Sequence, residues 1–322
     1  MLKQTLFKFA SVLALAGAVV ATSPSGNNDG MKRIGILQLA EHQALDDTRE
    51  GFIARLEELG YIDGYNVQIN YFNAQGDQSN LQLMSQQLVS SQSDLVFAIA
   101  TRAAQAIANE TTEIPILTGA VTSLVNAGLV ESNERPGGNV SGTSDFAPLQ
   151  KQLELLRELA PNAQTLGLIY NSSEPNSVYQ IQQVEGIAEA LGFETIHMTV
   201  TNTNDVAQNF TTLAMQVDAV FVPTDNTMAS AAATVGQIAR ERQLPVMFAS
   251  VSSMRQGGLA TIGIDYFVLG NQAADMAIRV FEGEDVATMP VEFGREYQTF
   301  INRDKAEAIG IHVPAHLLPY LE

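Results

Sequence analysis

Apolar and polar residues follow one another in blocks that predict short buried strands separated by amphipathic helices. Residues 33–39 and 165–170 are apolar runs of the length typical of a buried strand. Phe52 and Leu56 then recur at helical spacing, and residues 181–191 repeat that spacing after the second run. Strands that alternate with helices form a parallel sheet covered on both faces. Further strands are expected at 67–72, 95–100, 116–119, 194–200, 219–223 and 246–249.

Short motifs occur twice, in the same order, once in each half of the chain. They are GILQ at 35–38 with GLIY at 167–170, ELGY at 58–61 with ALGF at 190–193, DLVF at 94–97 with DAVF at 218–221, and IPI at 114–116 with LPV at 244–246. Gly60 and Gly192 stand where a helix C-cap favours glycine. The repeat predicts two doubly wound parallel-sheet lobes. In such sheets the ligand lies beyond the carboxyl ends of the strands, here in a cleft between the lobes.

The end of the chain is expected to cross between the lobes again. An apolar stripe over 268–280 predicts a helix that returns to the first lobe, and 289–293 a returning strand. We place the N-terminal lobe at 31–143 plus 265–288 and the C-terminal lobe at 144–264 plus 289–322.

The N-terminal 21 residues have the pattern of a secretory signal peptide. Lys3 and Lys8 precede a short apolar stretch, and Val19-Val20-Ala21 fits the small-residue rule for cleavage. A retained membrane anchor is the alternative, but the stretch is short for a span. Residues 22–30 then form a flexible leader. Because the chain has no cysteine, a lipid anchor on a terminal cysteine is excluded, and a free periplasmic protein is expected.

The composition supports two folded lobes and disfavours some classes of binding partner. Hydrophobic residues make up 46% of the chain and charged residues 16%, which allows two substantial cores. The formal charge of −18 disfavours binding to nucleic acid and to anionic lipid.

Polar residues concentrate in the loops that should face the cleft. Asp145, Glu174, Asp225 and Asp265 could hold a cation, while Ser, Thr and Asn at helix starts could bind a carboxylate. Such residues could equally only cap helices and fix turns. Together these groups favour a polar, amino-acid-like ligand. The aromatic residues near the rim, Tyr170, Phe146, Phe248 and Tyr266, could stack on a flat ligand, although Phe248, at a strand end, is expected in the core.

At these loops the chain resembles the solute-binding proteins of ABC importers of the tryptophan or aromatic amino-acid type. The resemblance covers about residues 31–315 and is carried by GILQ with EHQALD (41–46), YNSSEPNS (170–177), TDN (224–226) and GIDY (263–266). It implies a periplasmic-binding-protein fold of type I, hinge closure on an aromatic amino acid, and delivery to a membrane permease driven by a separate ATPase. The chain departs from the family pattern at Gln43, where proline is frequent, and at Ala100-Thr101-Arg102, where Gly-Thr-Pro is frequent.

The candidate ligand-binding residues follow from the loops and the resemblance together. They are Gln38, Glu41, Leu45, Thr101, Ser144, Asp145, Tyr170, Asn171, Glu174, Asn176, Ser177, Thr224, Asp225, Asn226, Asp265 and Tyr266. No catalytic residue, cofactor or metal is expected, and a monomer is the natural form of a two-lobed carrier.

Other functions are less well supported by the sequence. An enzyme would need a catalytic motif, and the chain has no G-x-S-x-G, no P-loop and, among its four histidines, only His42 on a rim loop. A binding protein that signals to a membrane receptor, or one that carries a solute other than an amino acid, remains an alternative.

Overall fold

The computed structural model describes residues 30–322, so the predicted signal peptide and nearly all of the predicted leader lie outside the described residues. The strands, in chain order, are β1 (Lys32–Gln38), β2 (Val67–Asn73), β3 (Leu95–Ile99), β4 (Ile116–Val121), β5 (Val140–Ser144), β6 (Thr165–Asn171), β7 (Glu194–Val200), β8 (Ala219–Val222), β9 (Val246–Phe248), β10 (Ala260–Gly263), β11 (Glu292–Phe293) and β12 (Gln298–Ile301).

The helices cover most of the intervening chain. They are α1 (Gln43–Glu58), α2 (Gln78–Ser90), α3 (Thr101–Glu110), α4 (Leu149–Leu159), α5 (Pro175–Ala190), α6 (Thr203–Leu213), α7 (Asn226–Ser230), α8 (Ala232–Arg242), α9 (Val251–Gly257), α10 (Tyr266–Phe281) and α11 (Arg303–Ala308), with short 3-10 helices at Val286–Thr288 and Ala315–Tyr320. Within the described part of the chain, no helix has the length and apolar character that a membrane span requires.

Two six-stranded sheets form the two lobes. The strand order is β11-β5-β4-β3-β1-β2 in the first sheet and β12-β10-β9-β8-β6-β7 in the second. The pairs are parallel except that β12 runs antiparallel to β10. The predicted fold class, two doubly wound lobes built from an internal repeat, is confirmed.

The aspartates of the repeated motifs DLVF and DAVF make equivalent hydrogen bonds in the two lobes. Asp94, just before β3, accepts a hydrogen bond from the backbone N–H of Arg33 at 2.7 Å. Its counterpart Asp218, just before β8, accepts from the backbone N–H groups of Gln164 and Thr165 at 2.8 and 2.9 Å. These hydrogen bonds lower the pKa of Asp218 below its ordinary value. Each aspartate therefore ties the start of a third strand to the start of the first.

The predicted glycine caps are also present. Gly60 and Gly192 have φ of +87° and +77°, in the left-handed region that glycine enters at little cost. The residue after each glycine donates its N–H back into the helix, to Leu56 and to Ala188, both at 2.9 Å. This is the six-to-one bond of a Schellman cap.

Helix α10 returns to the first lobe, as its apolar stripe predicts. Its residues Leu269, Ala273 and Met276 belong to the core that surrounds the first sheet. The following strand β11 pairs with Thr143 and Ser144 of β5, also in the first sheet. The predicted boundary at 289, which gave this strand to the second lobe, is therefore too early.

Three segments connect the lobes. They are residues 145–148 after β5, residues 264–265 between β10 and α10, and residues 294–297 between β11 and β12.

Candidate functional site

A cavity lies between the carboxyl ends of the strands of the two lobes. It holds about 320 Å³ of space not occupied by atoms, counting the open solvent at its mouth. Both lobes and the first connecting segment contribute to its wall. The lining residues are His42, Ala44, Leu45, Ala120, Asp145, Asn176, Thr224, Asp225, Asn226, Ala229, Ser250 and Tyr266.

Direct hydrogen bonds across the cleft show that the lobes are closed. His42 Nε2 lies 3.1 Å from Asn226 Oδ1, and the hydroxyls of Thr122 and Thr224 lie 3.0 Å apart. His42 precedes α1 in the first lobe, while Asn226 begins α7 in the second. Burial lowers the pKa of His42 below its ordinary value, although its hydrogen bond to Asn226 opposes this. The neutral imidazole is therefore the form that bridges the lobes near pH 7.

Asp145 is the cavity's most unusual group. It lies in the first connecting segment and is 4% exposed. The hydroxyl of Tyr266 donates to its Oδ2 at 2.8 Å, whereas its buried Oδ1 accepts no hydrogen bond from any residue between 30 and 322. Burial raises the pKa of Asp145, and the hydrogen bond from Tyr266 partly offsets the rise. A buried carboxylate oxygen without a partner is costly, and a cationic ligand group would relieve that cost.

Glu174 has a structural use that accounts for both of its oxygens. Its Oε2 accepts from the backbone and side-chain amides of Asn226 at 2.9 and 2.6 Å. Its Oε1 accepts from the backbone N–H and the hydroxyl of Thr227 at 3.0 and 2.9 Å. The carboxylate thus fastens the start of α5 to the start of α7. The sequence suggests Glu174 as a possible cation partner, but in the closed structure its oxygens accept hydrogen bonds from Asn226 and Thr227.

Asp225 adjoins Glu174 and is also buried. Its Oδ2 accepts from the backbone N–H of Asn171 at 2.6 Å, and its Oδ1 caps α7 through the N–H of Met228 at 2.8 Å. Burial, together with the charge of Glu174, raises the pKa of Asp225 to about 7. Its charge therefore changes within the physiological pH range.

The structure brings seven of the sixteen candidate residues into the cavity wall. They are Leu45, Asp145, Asn176, Thr224, Asp225, Asn226 and Tyr266. Five further candidates are buried but do not line the cavity: Thr101, Ser144, Asn171, Glu174 and Ser177.

Four candidates lie elsewhere. Gln38 is held by Arg49 and Asp46 at 2.9 Å each, and Glu41 is exposed beside it. The ring of Tyr170 meets His197 edge to face at 6.2 Å. Asp265 is exposed and caps α10 by accepting from the N–H groups of Phe267 and Val268.

The candidate ligand-binding residues leave out six residues of the cleft: His42, Ala44, Ala120, Thr122, Ala229 and Ser250. Thr122 and Ala120 were missed because β4 reaches Val121, beyond its predicted end at 119. Ala120 also has a φ of +55°, and Ala100, at the end of β3, has a φ of +81°. Such backbone is strained for alanine, and strain of this kind tends to occur at binding sites. His42 and Ser250 stand in loops that the sequence places at the cleft, so their position there is predicted even though neither is among the candidates.

The cavity wall offers carboxylates, amides and hydroxyls together with small apolar side chains. No cluster of three or more His, Cys, Asp or Glu suited to a metal ion occurs within residues 30–322. The arrangement can bind a small polar ligand between the lobes, with Asp145 facing a positive group.

Comparison with known proteins agrees with this geometry. Residues 33–321 match the model of a family described as ABC transporter substrate binding protein. A tyrosine-binding protein from Clostridioides difficile is 42% identical over 86% of this chain and 81% of its own length. An ABC domain from Streptococcus pneumonia, solved in complex with L-Trp, is 37% identical and superposes with a TM-score of 0.88 over 91% of this chain and 100% of that one.

A relative whose structure is ligand-free and open superposes on this chain with a lower TM-score. The substrate binding protein with adhesive properties from Clostridium difficile is 43% identical over 88% of this chain and 97% of its own, but its TM-score is 0.69. Because this identity exceeds that of the L-Trp complex, the lower score points to a different arrangement of the lobes. The closed arrangement seen here is the one shared with the ligand-bound relative. The family consists of binding proteins rather than enzymes, and this chain belongs to the ABC transporter substrate-binding proteins.

Proposed function

We propose that this protein captures an aromatic amino acid, tyrosine or tryptophan, between its lobes outside the cytoplasmic membrane and delivers it to an ABC permease powered by a separate ATPase. The two relatives named for tyrosine and for L-Trp support the ligand class, at 42% and 37% identity. The family supports the partnership with a permease.

The observation that carries the proposal is the buried, unpartnered Oδ1 of Asp145. A ligand ammonium placed against it would form a charge-assisted hydrogen bond at a buried carboxylate. The hydroxyl of Thr224, in the wall, can donate to a ligand carboxylate while it accepts from the hydroxyl of Thr122. Leu45, Ala120 and Ala229 offer small apolar surfaces to a ring.

The residues that would contact the ligand belong to both lobes, so ligand binding favours closure of the lobes. Leu45 and Ala120 belong to the first lobe, Thr224 and Ala229 to the second, and Asp145 to a connecting segment. A ligand that contacts all of them binds the closed form more tightly than the open one, and so shifts the population toward closure. The hydrogen bonds from His42 to Asn226 and between Thr122 and Thr224 then form as the lobes meet.

Isothermal titration calorimetry on the purified protein tests the proposal. L-tyrosine and L-tryptophan should each bind one to one, whereas L-leucine and L-glutamate should bind far more weakly. Asp145→Asn should weaken binding by roughly 30-fold or more, because a buried charge pair loses one partner. Asp285→Asn is the matched control, since Asp285 is exposed and caps the 3-10 helix at Val286–Thr288. Absence of heat with both aromatic amino acids would refute the proposed ligand class.

A further inference from the structure

We propose that Tyr266 is a positioning residue whose hydroxyl aims the Asp145 carboxylate into the cavity and ties the start of α10 to the first lobe-connecting segment. The proposal rests on the proposed role of Asp145 as the receptor of the ligand ammonium. From the sequence, Tyr266 had been a candidate for stacking on the ligand.

The contact between the two residues is buried and short. Tyr266 is 5% exposed and Asp145 is 4% exposed, and their oxygens are 2.8 Å apart. Tyr266 begins α10, immediately after the second connecting segment, while Asp145 begins the first. One hydrogen bond therefore joins the start of α10, directly after the second connecting segment, to the first connecting segment.

A second tyrosine makes a parallel tie from the third segment. The hydroxyl of Tyr297 donates to the backbone carbonyl of Phe146 at 2.7 Å. Phe146 is the neighbour of Asp145, so two tyrosine hydroxyls hold adjacent residues of the first segment. Only the bond from Tyr266 ends on the carboxylate. The two tyrosines thus separate the effect of hinge contact from the effect on the ligand-binding charge.

Holding one carboxylate oxygen determines the direction of the other. Tyr266 holds Oδ2, whereas the buried Oδ1 accepts no hydrogen bond within residues 30–322, and Asp145 lines the cavity. The same hydrogen bond favours the charged carboxylate, whereas burial favours the neutral acid. If the hydroxyl is removed, the effect that lowers the pKa of Asp145 is lost while burial still raises it. The pKa of Asp145 would therefore rise further. The ammonium would then meet a neutral acid over a wider pH range.

Few other titratable groups face Asp145. Tyr297 approaches from the third connecting segment, and Asp145 contributes to raising its pKa. His42, before α1, and Asp225, before α7, share the cavity wall. All three remain in a Tyr266→Phe variant. A change in the pH dependence of binding between this variant and the wild type therefore reports on the hydroxyl of Tyr266.

The test measures L-tyrosine and L-tryptophan affinity by calorimetry from about pH 5 to pH 9. The proteins are the wild type, Tyr266→Phe, Tyr297→Phe and Asp145→Asn. Tyr266→Phe should bind roughly 10- to 100-fold more weakly at neutral pH, since a hydrogen bond to a charged group is lost. The pH below which affinity falls should move upward in Tyr266→Phe and stay at the wild-type value in Tyr297→Phe.

The outcomes distinguish this inference from the proposed function. If Asp145→Asn weakens binding but Tyr266→Phe leaves affinity and pH profile unchanged, the positioning role is wrong and the ammonium site stands. If Asp145→Asn has no effect, the ammonium site itself is wrong. A double variant guards against a merely structural effect of Tyr266→Phe. Combined with Asp145→Asn, it should cost no further affinity, whereas additive losses would contradict the coupling.

Discussion

The contact between α1 and α10 gives a sharp prediction about stability. Gly51 and Gly270 allow the helices to approach so closely that their backbones touch. A Cβ added at Gly270 would lie 2.1 Å from the backbone oxygen of Thr48, and one at Gly51 would lie 2.0 Å from that of Phe267. Ordinary van der Waals contact begins at 3.4 Å, so Gly270→Ala forces the helices about 1 Å apart.

Two opposing contributions set the size of the effect. Replacing glycine by alanine inside a helix stabilises it by up to about 1 kcal/mol. Overpacking costs about 1–3 kcal/mol, and the upper part of that range applies because the obstructing atom is backbone. The net expectation for Gly270→Ala is a loss of about 2 kcal/mol, or a melting temperature lower by roughly 5 °C.

Gly186 provides the matched control. It lies on the exposed side of α5, and a Cβ there would meet nothing within 4 Å. Gly186→Ala should therefore raise the melting temperature slightly, by the helix-propensity gain alone. Thermal unfolding followed by circular dichroism compares the two variants. If Gly270→Ala is as stable as Gly186→Ala, the close approach of α1 and α10 is wrong. Ligand affinity should fall in Gly270→Ala as well, because α10 begins with Tyr266 and α1 carries Leu45.

Further predictions concern the cleft. Thr122→Val should weaken ligand binding roughly 2- to 10-fold by removing one hydrogen bond between the closed lobes, and small-angle scattering should show a larger open population. His42→Ala should act in the same direction, with unchanged scattering as the result against it. Because the pKa of Asp225 is raised to about 7, the folded protein keeps a proton that the unfolded chain releases, so stability should fall by about 1 kcal/mol as pH rises from about 6 to 8. Asp225→Asn, which retains the N-cap, should flatten that decline in urea titrations, and parallel curves for both proteins would contradict the shift.

Much of the fold could be predicted because the chain carries the pattern twice. The strand predicted at 194–200 has those bounds in the structure, and its register with β6 matches that of β2 with β1. Asp94 and Asp218 stood out as repeated residues, and each ties strand starts through backbone hydrogen bonds. The boundary at 289 failed because a strand of two residues, β11, has no periodicity from which to assign its sheet.

The site was harder to predict, for a physical reason. Residues that face a ligand and residues that cap helices are of the same polar types and occur at the same strand ends. Glu174 and Asp145 were equal candidates, yet five hydrogen bonds end on the oxygens of Glu174, while Oδ1 of Asp145 accepts none from residues 30–322. Glu174 is occupied because α7 packs against the start of α5. That packing brings together residues about 50 positions apart along the chain, which a local sequence pattern does not predict.

The most direct test of ligand capture uses the absence of tryptophan from the chain. Because the protein contributes no indole emission, fluorescence excited selectively in indole reports only on added L-tryptophan. On addition of the protein, its emission should shift to the blue and its anisotropy should rise, as expected for a ring buried between closed lobes. Excess L-tyrosine should reverse both changes by competing for the cavity, and Asp145→Asn should greatly reduce them. An unchanged spectrum and anisotropy at protein concentrations well above micromolar would contradict the account that the cleft captures an aromatic amino acid.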